Sequence, residues 1–492
     1  MQPSVYQQAV YDFTRGGAGS ASVNAVAGSG KTTTAVEMVK CFDPIDEGAF
    51  LAFNTHIAEE LNERLGGVCP AMTYNALGWR ALKEGYGKKI RLDKFKTQNL
   101  LRYEILNNLK SSKDESWYHK NRRSFTRLMS LVKAADVHKI ELILPTAHEA
   151  LARFDMDEPD GDWETRFIDL WKLSVADITR MDFDDQKYMA QHLMVDLPSY
   201  DYLVIDEYQD SCTVEANLFA RACQSGRVFA IGDPDQAIYS FKGTTPDAMG
   251  QFVRRYNAIE LPLSICYRCS KAVVLEARKY VPRIEYWDRA IEGAVDAVEE
   301  DDFRSGVRDG DFVLCRVTVD LVSSALRFLA AGRAAYVKGA EIGDQLISFI
   351  DQLATGDGQD AIAFYHEMEA YRGKRIAELE AMDRETSAQL LNDKCETITV
   401  LLDGVQTVRD VKKKISSLFA DESSGIPHMT IHKSKGLETE VGGDVYLIAP
   451  EKIPHSRATS QEQIAEEYRL LYVAITRAKR NFFRVRSRKT NH

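Results

Sequence analysis

Nowhere in the chain do about eighteen apolar residues run together, so no membrane-spanning helix is expected. The start, Met1-Gln2-Pro3-Ser4, lacks a basic stretch followed by an apolar one, so no secretory leader is expected there. Cysteine is sparse: 8 in 492 residues, well dispersed. That density excludes a disulfide-built scaffold and suits a reducing compartment. Cys266 and Cys269 form one CxxC with no second pair at zinc spacing, which argues against a zinc site. Repeats at solenoid periods and low-complexity tracts are missing too. So is a positive charge excess; the formal net charge is -10. That weighs weakly against nucleic acid, because local clustering matters more than the sum. One cluster holds Arg477, Lys479, Arg480, Arg484, Arg486, Arg488 and Lys489 with Phe482 and Phe483 interleaved. A second holds Lys120, Arg122, Arg123, Arg127 and Lys133. Each reads equally as a phosphate-binding surface or a solvated face.

What is present is an α/β pattern too long for one core. Residues 21–26 read as a strand running into a glycine turn, with a helix from Thr33 to Cys41. Ala49 to Phe53, Tyr202 to Ile205 and Arg227 to Ile231 are further strands. Such continuous apolar runs fit parallel sheets buried on both faces. A second α/β pattern begins near Ile259, with strands at Asp311–Cys315, Ala334–Val337, His428–Ile431, Asp444–Ile448 and Phe482–Val485. The expected organisation is a first lobe of 1–85 and 196–258 with a helical insertion at 86–195. A second lobe of 259–344 and 425–492 carries a short helical insertion at 345–424. Within the second insertion, Ala361 to Leu391 is helix-like. The acidic stretch Asp296 to Asp302 reads as a solvated loop, and residues 158–162 as a surface turn.

The chemistry sits at strand ends. Ala25 to Thr32 fits [AG]xxxxGK[ST] between a strand and a helix. Backbone N–H groups of Ala27, Gly28, Ser29, Gly30, Lys31 and Thr32 can cradle phosphate oxygens at the helix N-terminus. Lys31 would neutralise the β- and γ-phosphates, and the Thr32 hydroxyl would hold Mg²⁺. Asp206 ends an apolar strand, where a carboxylate reaches a metal beside the phosphates. Glu207 can orient and deprotonate the attacking water. Gln236 follows the next strand, where a γ-phosphate sensor would sit. Beyond it Tyr239 and Phe241 are either base-stacking aromatics or core residues. Arg268 and Arg477, in the second α/β half, are either surface ion pairs or arginines that stabilise charge on a transferring phosphoryl group.

Taken in order, these segments resemble the superfamily 1 DNA helicases of the UvrD/Rep/PcrA type, from about residue 3 to 485. The resemblance implies two RecA-like P-loop NTPase lobes with parallel sheets, each carrying a mainly helical insertion. By it Gln7 reads the adenine edge, Tyr267 stacks on the adenine and Glu438 reaches the ribose. Thr33 joins the nucleotide-binding loop, and Arg268 and Arg477 are the arginine fingers. Phe53, Asn54, Thr73, Tyr239, Phe241 and His432 contact DNA. The chain departs from the family pattern at Asn75 (usually histidine), Lys242 (arginine) and Cys266 (asparagine). Its second insertion, about 80 residues, is shorter than is typical.

The implied activity is ATP-dependent unwinding of duplex DNA by a protein that travels on single strands, 3′ to 5′ by family likeness. ATP would bind in a cleft between lobes, bridging Lys31 and Thr32 to Arg268 and Arg477, with Mg²⁺ on Thr32 and Asp206. Expected partners are single-stranded DNA and single/double-strand junctions, met by a monomer in the cytoplasm during repair or replication. Two alternatives stay open: a translocase that displaces bound proteins with little unwinding, and an ATP-gated DNA clamp.

Overall fold

The computed structural model describes residues 2–486 apart from 17, 107–110, 155, 157, 225, 240–242, 382–384, 422–423, 441 and 457, with backbone only at 88, 112, 385 and 386. Phe241, Lys242, Arg488 and Lys489 therefore lie outside the described residues. Two compact units emerge: Met1–Ala25 with Gly30–Leu263, and Val26–Ser29 with Ser264–His492.

The first unit is built on a six-stranded sheet whose pairings are all parallel. Its order is Ala71–Thr73, Gly48–Ala52, Tyr202–Ile205, Arg227–Gly232, Ala21–Ala25, Ile259–Leu263. Gly48–Ala52 and Tyr202–Ile205 are buried throughout, because helices cover both faces. Phe50, Val204 and Phe229 point into one core. Their neighbours Leu51, Leu203 and Ala230 point into the other. The edge strands Ala71–Thr73 and Ile259–Leu263 carry no long apolar run, which is why the sequence pattern does not show them. Ile259–Leu263 pairs with Ala21–Ala25 and so belongs to this unit, beyond the expected lobe boundary at 258.

The first insertion has a core of its own, including Leu101, Phe125, Leu128, Phe167 and Leu170. Tyr188 and Met189, at its downstream end, pack instead into the sheet's core. At its base lies a buried charge network. Lys96 Nζ is 2.7 Å from Asp185, and Lys133 Nζ is 3.0 Å from Asp182 and 2.8 Å from Asp185. Backbone carbonyls of Ser174 and Asp177 also accept from Lys96, so its ammonium is satisfied without water.

The second unit is built on a seven-stranded sheet, again with parallel pairings throughout. Their order is Ala294–Glu299, Asn481–Arg486, Val445–Leu447, Phe312–Cys315, Ile426–Thr430, Ala335–Lys338, Phe419–Ala420. The stretch 296–302 is not a loop: it completes the edge strand Ala294–Glu299 and opens the helix Glu300–Gly306. Its acids fit an edge position, where one face stays solvated. Glu299 pairs with Arg486 on the adjacent strand at 3.0 Å. The stretch expected as the second insertion holds most of the helix Ala340–Leu353, the helices Ala361–Glu380, Glu385–Leu402 and Val408–Leu418, and the edge strand Phe419–Ala420. Its described apolar side chains pack with those of the sheet. Phe364, Met368, Ile398 and Val411 join Val313 and Val337 in one cluster.

His428 lies inside that sheet, opposite Val313 and Val337. Its Nδ1–H donates to Ile426 O at 3.1 Å, so Nε2 accepts from the Ser324 hydroxyl at 3.1 Å. Burial holds its pKa down to about 4, against the weaker opposite effect of the Ile426 carbonyl. The folded value lies below the unfolded one of about 6.5. Stability is therefore fully present above about pH 6.5 and declines as pH falls toward about 4, by on the order of 3 kcal/mol when complete. Thermal unfolding across that window should show the decline, and His428→Gln should flatten it.

Candidate active site

The parallel strands of the first unit deliver their chemistry to one edge. Asn24 pairs with Gly232, Ile205 with Leu51 and Ala230, and Ala52 with Thr73. The phosphate loop, Phe53, the cap of the helix after Thr73, Asp206 and Asp233 therefore all follow the carboxyl ends of neighbouring strands. In open α/β sheets that edge is where ligands bind. Gly30 takes φ +79° as the N-cap of the helix Lys31–Val39, a left-handed turn that suits glycine. The turn leaves the helix N-terminus facing outward as an anion site.

Lys31 Nζ lies 2.6 Å from Glu207 Oε1. Burial alone would lower the lysine's pKa, but Glu207, Asp206 and Asp233 together raise it. The ammonium is therefore charged at any physiological pH. Asp206 is pushed up to about 6, first by burial and then by the adjacent Glu207. Its Oδ1 accepts from Glu207 N at 3.0 Å, and its carbonyl accepts from the Tyr74 hydroxyl. Glu207 holds φ +53°, an uncommon conformation for a non-glycine residue and of the kind found at functional sites. From it a chain of contacts runs onward. Gln209 Nε2 donates to Glu207 Oε2. Gln209 Oε1 accepts from Asp233 N at 3.1 Å, and Asp233 Oδ2 accepts from Gln236 Nε2 at 2.8 Å. Lysine, acid and candidate sensor thus form one connected group. Gln209 is the link that reading the sequence left without a role, although it lies in the run Asp206 to Asp210.

The other candidates of this unit sit around that group. Gln7 donates to Thr34 Oγ1 at 3.1 Å, which places it beside the helix that follows the phosphate loop. Thr33 Oγ1 accepts from Arg64 at 3.0 Å. Thr32 is half-buried. Phe53 is 41% exposed, with an edge toward Tyr74 at 6.4 Å. Asn54 and Thr73 both cap helices, accepting from Ile57 N and Ala76 N. Tyr239 is half-buried.

In the second unit, Tyr267 N donates to Gly28 O and Ala27 N donates to the Tyr472 hydroxyl, both at 2.9 Å. Ser29 Oγ is buried without a hydrogen-bond partner, a polar atom that a phosphate oxygen would satisfy. Arg268 Nε pairs with Glu438 at 2.7 Å, and Lys479 approaches the same carboxylate at 3.6 Å. Arg477, 2% exposed, donates to Leu437 O at 2.7 Å and Val473 O at 3.1 Å. Both arginines therefore converge on the Leu437–Glu438 segment. His432 lies half-buried in the short helix Ile431–Ser434. Trp287 carries no signal of its own in the sequence. Trp287 meets Tyr267 edge-on at 5.9 Å, through a two-stranded ribbon whose pairing the sequence does not signal.

A doubly covered parallel sheet with a phosphate loop and an acidic strand end defines the class of P-loop nucleoside triphosphatase folds. Residues 8–242 match the AAA domain family, and residues 312–488 match the UvrD-like helicase C-terminal domain. The chain belongs to the UvrD-like superfamily 1 helicases. It is 22% identical over 445 residues to YjcD of Bacillus subtilis, whose name assigns it provisionally to the ATP-dependent DNA helicases; 65% of this chain and 58% of YjcD are covered. The ATP-dependent DNA helicases Rep of Salmonella typhimurium and Escherichia coli are each 38% identical over 76 residues, 15% of this chain and 10% of Rep. The chain thus spans little more than half the length of YjcD.

Proposed function

We propose that this chain is an ATP-dependent DNA helicase, which hydrolyses ATP at its phosphate loop, travels 3′ to 5′ on single-stranded DNA and opens duplexes at junctions. The observation that carries this reading is the connected group Lys31–Glu207–Gln209–Asp233–Gln236, together with family membership. A phosphate-binding cation, a base and a strand-end sensor in one hydrogen-bonded array suit a motor whose hydrolysis answers to its track. Ala27 to Thr33 hold the triphosphate, Gln7 and Tyr267 the adenine, and Glu438 the ribose. Glu207 takes the proton of the attacking water while Lys31, Arg268 and Arg477 balance charge on the transferred phosphoryl.

The Thr32 hydroxyl and Asp206 carboxylate are hard oxygen donors, the kind that Mg²⁺ shares with substrate phosphates. The crowding of Asp206 and Glu207 against each other also favours a divalent cation. Bound there, Mg²⁺ would neutralise phosphate charge. Phe53, Tyr239, Phe241 and His432 contact DNA. Asn54 Oδ1 is committed to its helix cap, so its Nδ2 is the donor for a phosphate. We place the protein as a cytoplasmic monomer.

Unwinding of 3′-tailed, 5′-tailed and blunt duplexes with ATP tests the reading. Opening of the 3′-tailed duplex alone is expected; opening none, or preferring the 5′ tail, overturns it. A second reading, a translocase that strips proteins from single strands, draws on the second insertion. Described residues of that insertion share the sheet's core. Protein displacement that outpaces strand separation on the same DNA would favour it.

A further inference from the structure

We infer that Gln209 is the positioning residue for Glu207 and mechanically ties that acid to the turn bearing Gln236, so that the DNA side of the site reaches the hydrolytic carboxylate. The inference rests on the reading of the chain as a DNA-stimulated ATPase. Gln209 is 3% exposed and spends both ends of its amide. The N–H₂ donates to Glu207 Oε2, and Oε1 accepts from the backbone N–H of Asp233. A primary amide of this length offers a donor at one end and an acceptor at the other without carrying a charge.

The strand beside it is shaped for this amide. A Cβ placed on Gly232 would lie 2.1 Å from Gln209 Oε1, so the close approach requires glycine. Asp233, fully buried, then accepts from Gln236 Nε2 at 2.8 Å and caps the turn Pro234–Gln236 by accepting from Asp235 N at 3.1 Å. Tyr239 follows three residues later. A shift of that turn therefore moves Asp233 N, and through Gln209 it moves the Glu207 carboxylate.

A further tether of Glu207 is Lys31, which bonds Oε1. A triphosphate on the loop competes for that same ammonium. Once it wins, Gln209 remains as the neutral donor that keeps the carboxylate aimed. Glu207 stands at φ +53°, outside regular structure, so its direction depends on such side-chain tethers.

Two variants of the full chain test this, Gln209→Met and Gln209→Leu, each of which removes both contacts. ATP turnover is measured with and without oligo(dT). Both variants should keep KM for ATP within about twofold and lose about 10- to 100-fold in DNA-stimulated kcat, the scale of a misplaced reacting group. The ratio of stimulated to unstimulated rate should fall as well. A purely structural role would lower thermal stability and leave that ratio alone. If the unaltered protein shows no stimulation by DNA, the functional reading itself fails. If it is stimulated and both variants match it in kcat and ratio, the role assigned to Gln209 is overturned. Should neither variant fold, hydrogen exchange at the Asp233 amide of the unaltered protein decides. A several-fold change on adding a non-hydrolysable ATP analogue supports the tie, and an unchanged rate refutes it.

Discussion

Lys31→Ala should leave a folded protein whose ATP turnover is lower by at least about 10²-fold, the scale of removing one preorganised charge partner from a transition state. The lysine is placed by two independent constraints. Gly30 turns the chain so that Lys31 is the first residue of its helix, and Glu207 holds the ammonium at 2.6 Å. Alanine keeps the helix, since it is the best helix former. It removes the cation that Glu207, Asp206 and Asp233 surround. The loss should therefore appear in nucleotide affinity as well as in kcat, because Lys31 faces the same phosphates in ground and transition states. The acids left behind repel one another; without Lys31, which holds it down, Asp206 is pushed up further, so Tm should fall as pH rises from about 4, where the unfolded aspartate ionises, through that raised folded value. Lys31→Arg separates charge from shape. It restores the charge but not the compact point geometry that a single phosphate contact uses, so partial recovery of affinity with little recovery of kcat is expected. Circular dichroism, nucleotide titration and steady-state ATPase suffice. Turnover within tenfold of the unaltered protein would remove Lys31 from the phosphate site.

Much of this arrangement is legible in the sequence because parallel sheets place function by rule. Buried strands read as continuous apolar runs, and the residues just past their ends fall on one edge. That is why Lys31, Asp206, Glu207 and Gln236 can be nominated together without a structure. What stayed hidden follows from the same physics. The strands Ala71–Thr73, Ile259–Leu263 and Ala294–Glu299 lie on sheet edges, where one side is wet and apolar runs are not needed. The acids of Ala294–Glu299 look like a solvated loop until the backbone pairing with Asn481–Arg486 is known. Ala361 to Leu391 reads as helix-like, and the described residues there lie in Ala361–Glu380 and Glu385–Leu402. Gln209 escaped for a different reason. A glutamine gains meaning only from the two atoms its amide meets, here contributed by Glu207 and Asp233, and no spacing rule encodes that. Asn54 and Thr73 show the converse. The resemblance assigns both to DNA, and both also cap helices, a role their residue types favour.

Glu207→Gln should bind ATP and hydrolyse it about 10²- to 10⁴-fold more slowly, the range ascribed to general base catalysis. Volume is conserved and the charge that deprotonates water is lost. The surrounding contacts sharpen the expectation. Lys31 needs an acceptor at the position of Oε1, so the new amide oxygen must face the lysine. Its N–H₂ then meets the Gln209 N–H₂, two donors in opposition. Gln209 can relieve this by turning over, but it would then present its N–H₂ to the Asp233 N–H, another donor. One hydrogen bond of the array must break whichever amide turns. The variant should therefore lose hydrolysis and also weaken the link between Glu207 and Gln236. Glu207→Asp offers the contrast. It keeps a carboxylate that both neighbours can serve, but the shorter side chain does not reach both at once. It should retain coupling to DNA better than turnover. Rapid-quench single turnovers with bound ATP measure the chemical step, and mant-ATP titration measures binding. A Glu207→Gln protein that binds ATP normally and turns over within tenfold of the unaltered enzyme would show that some other group activates the water.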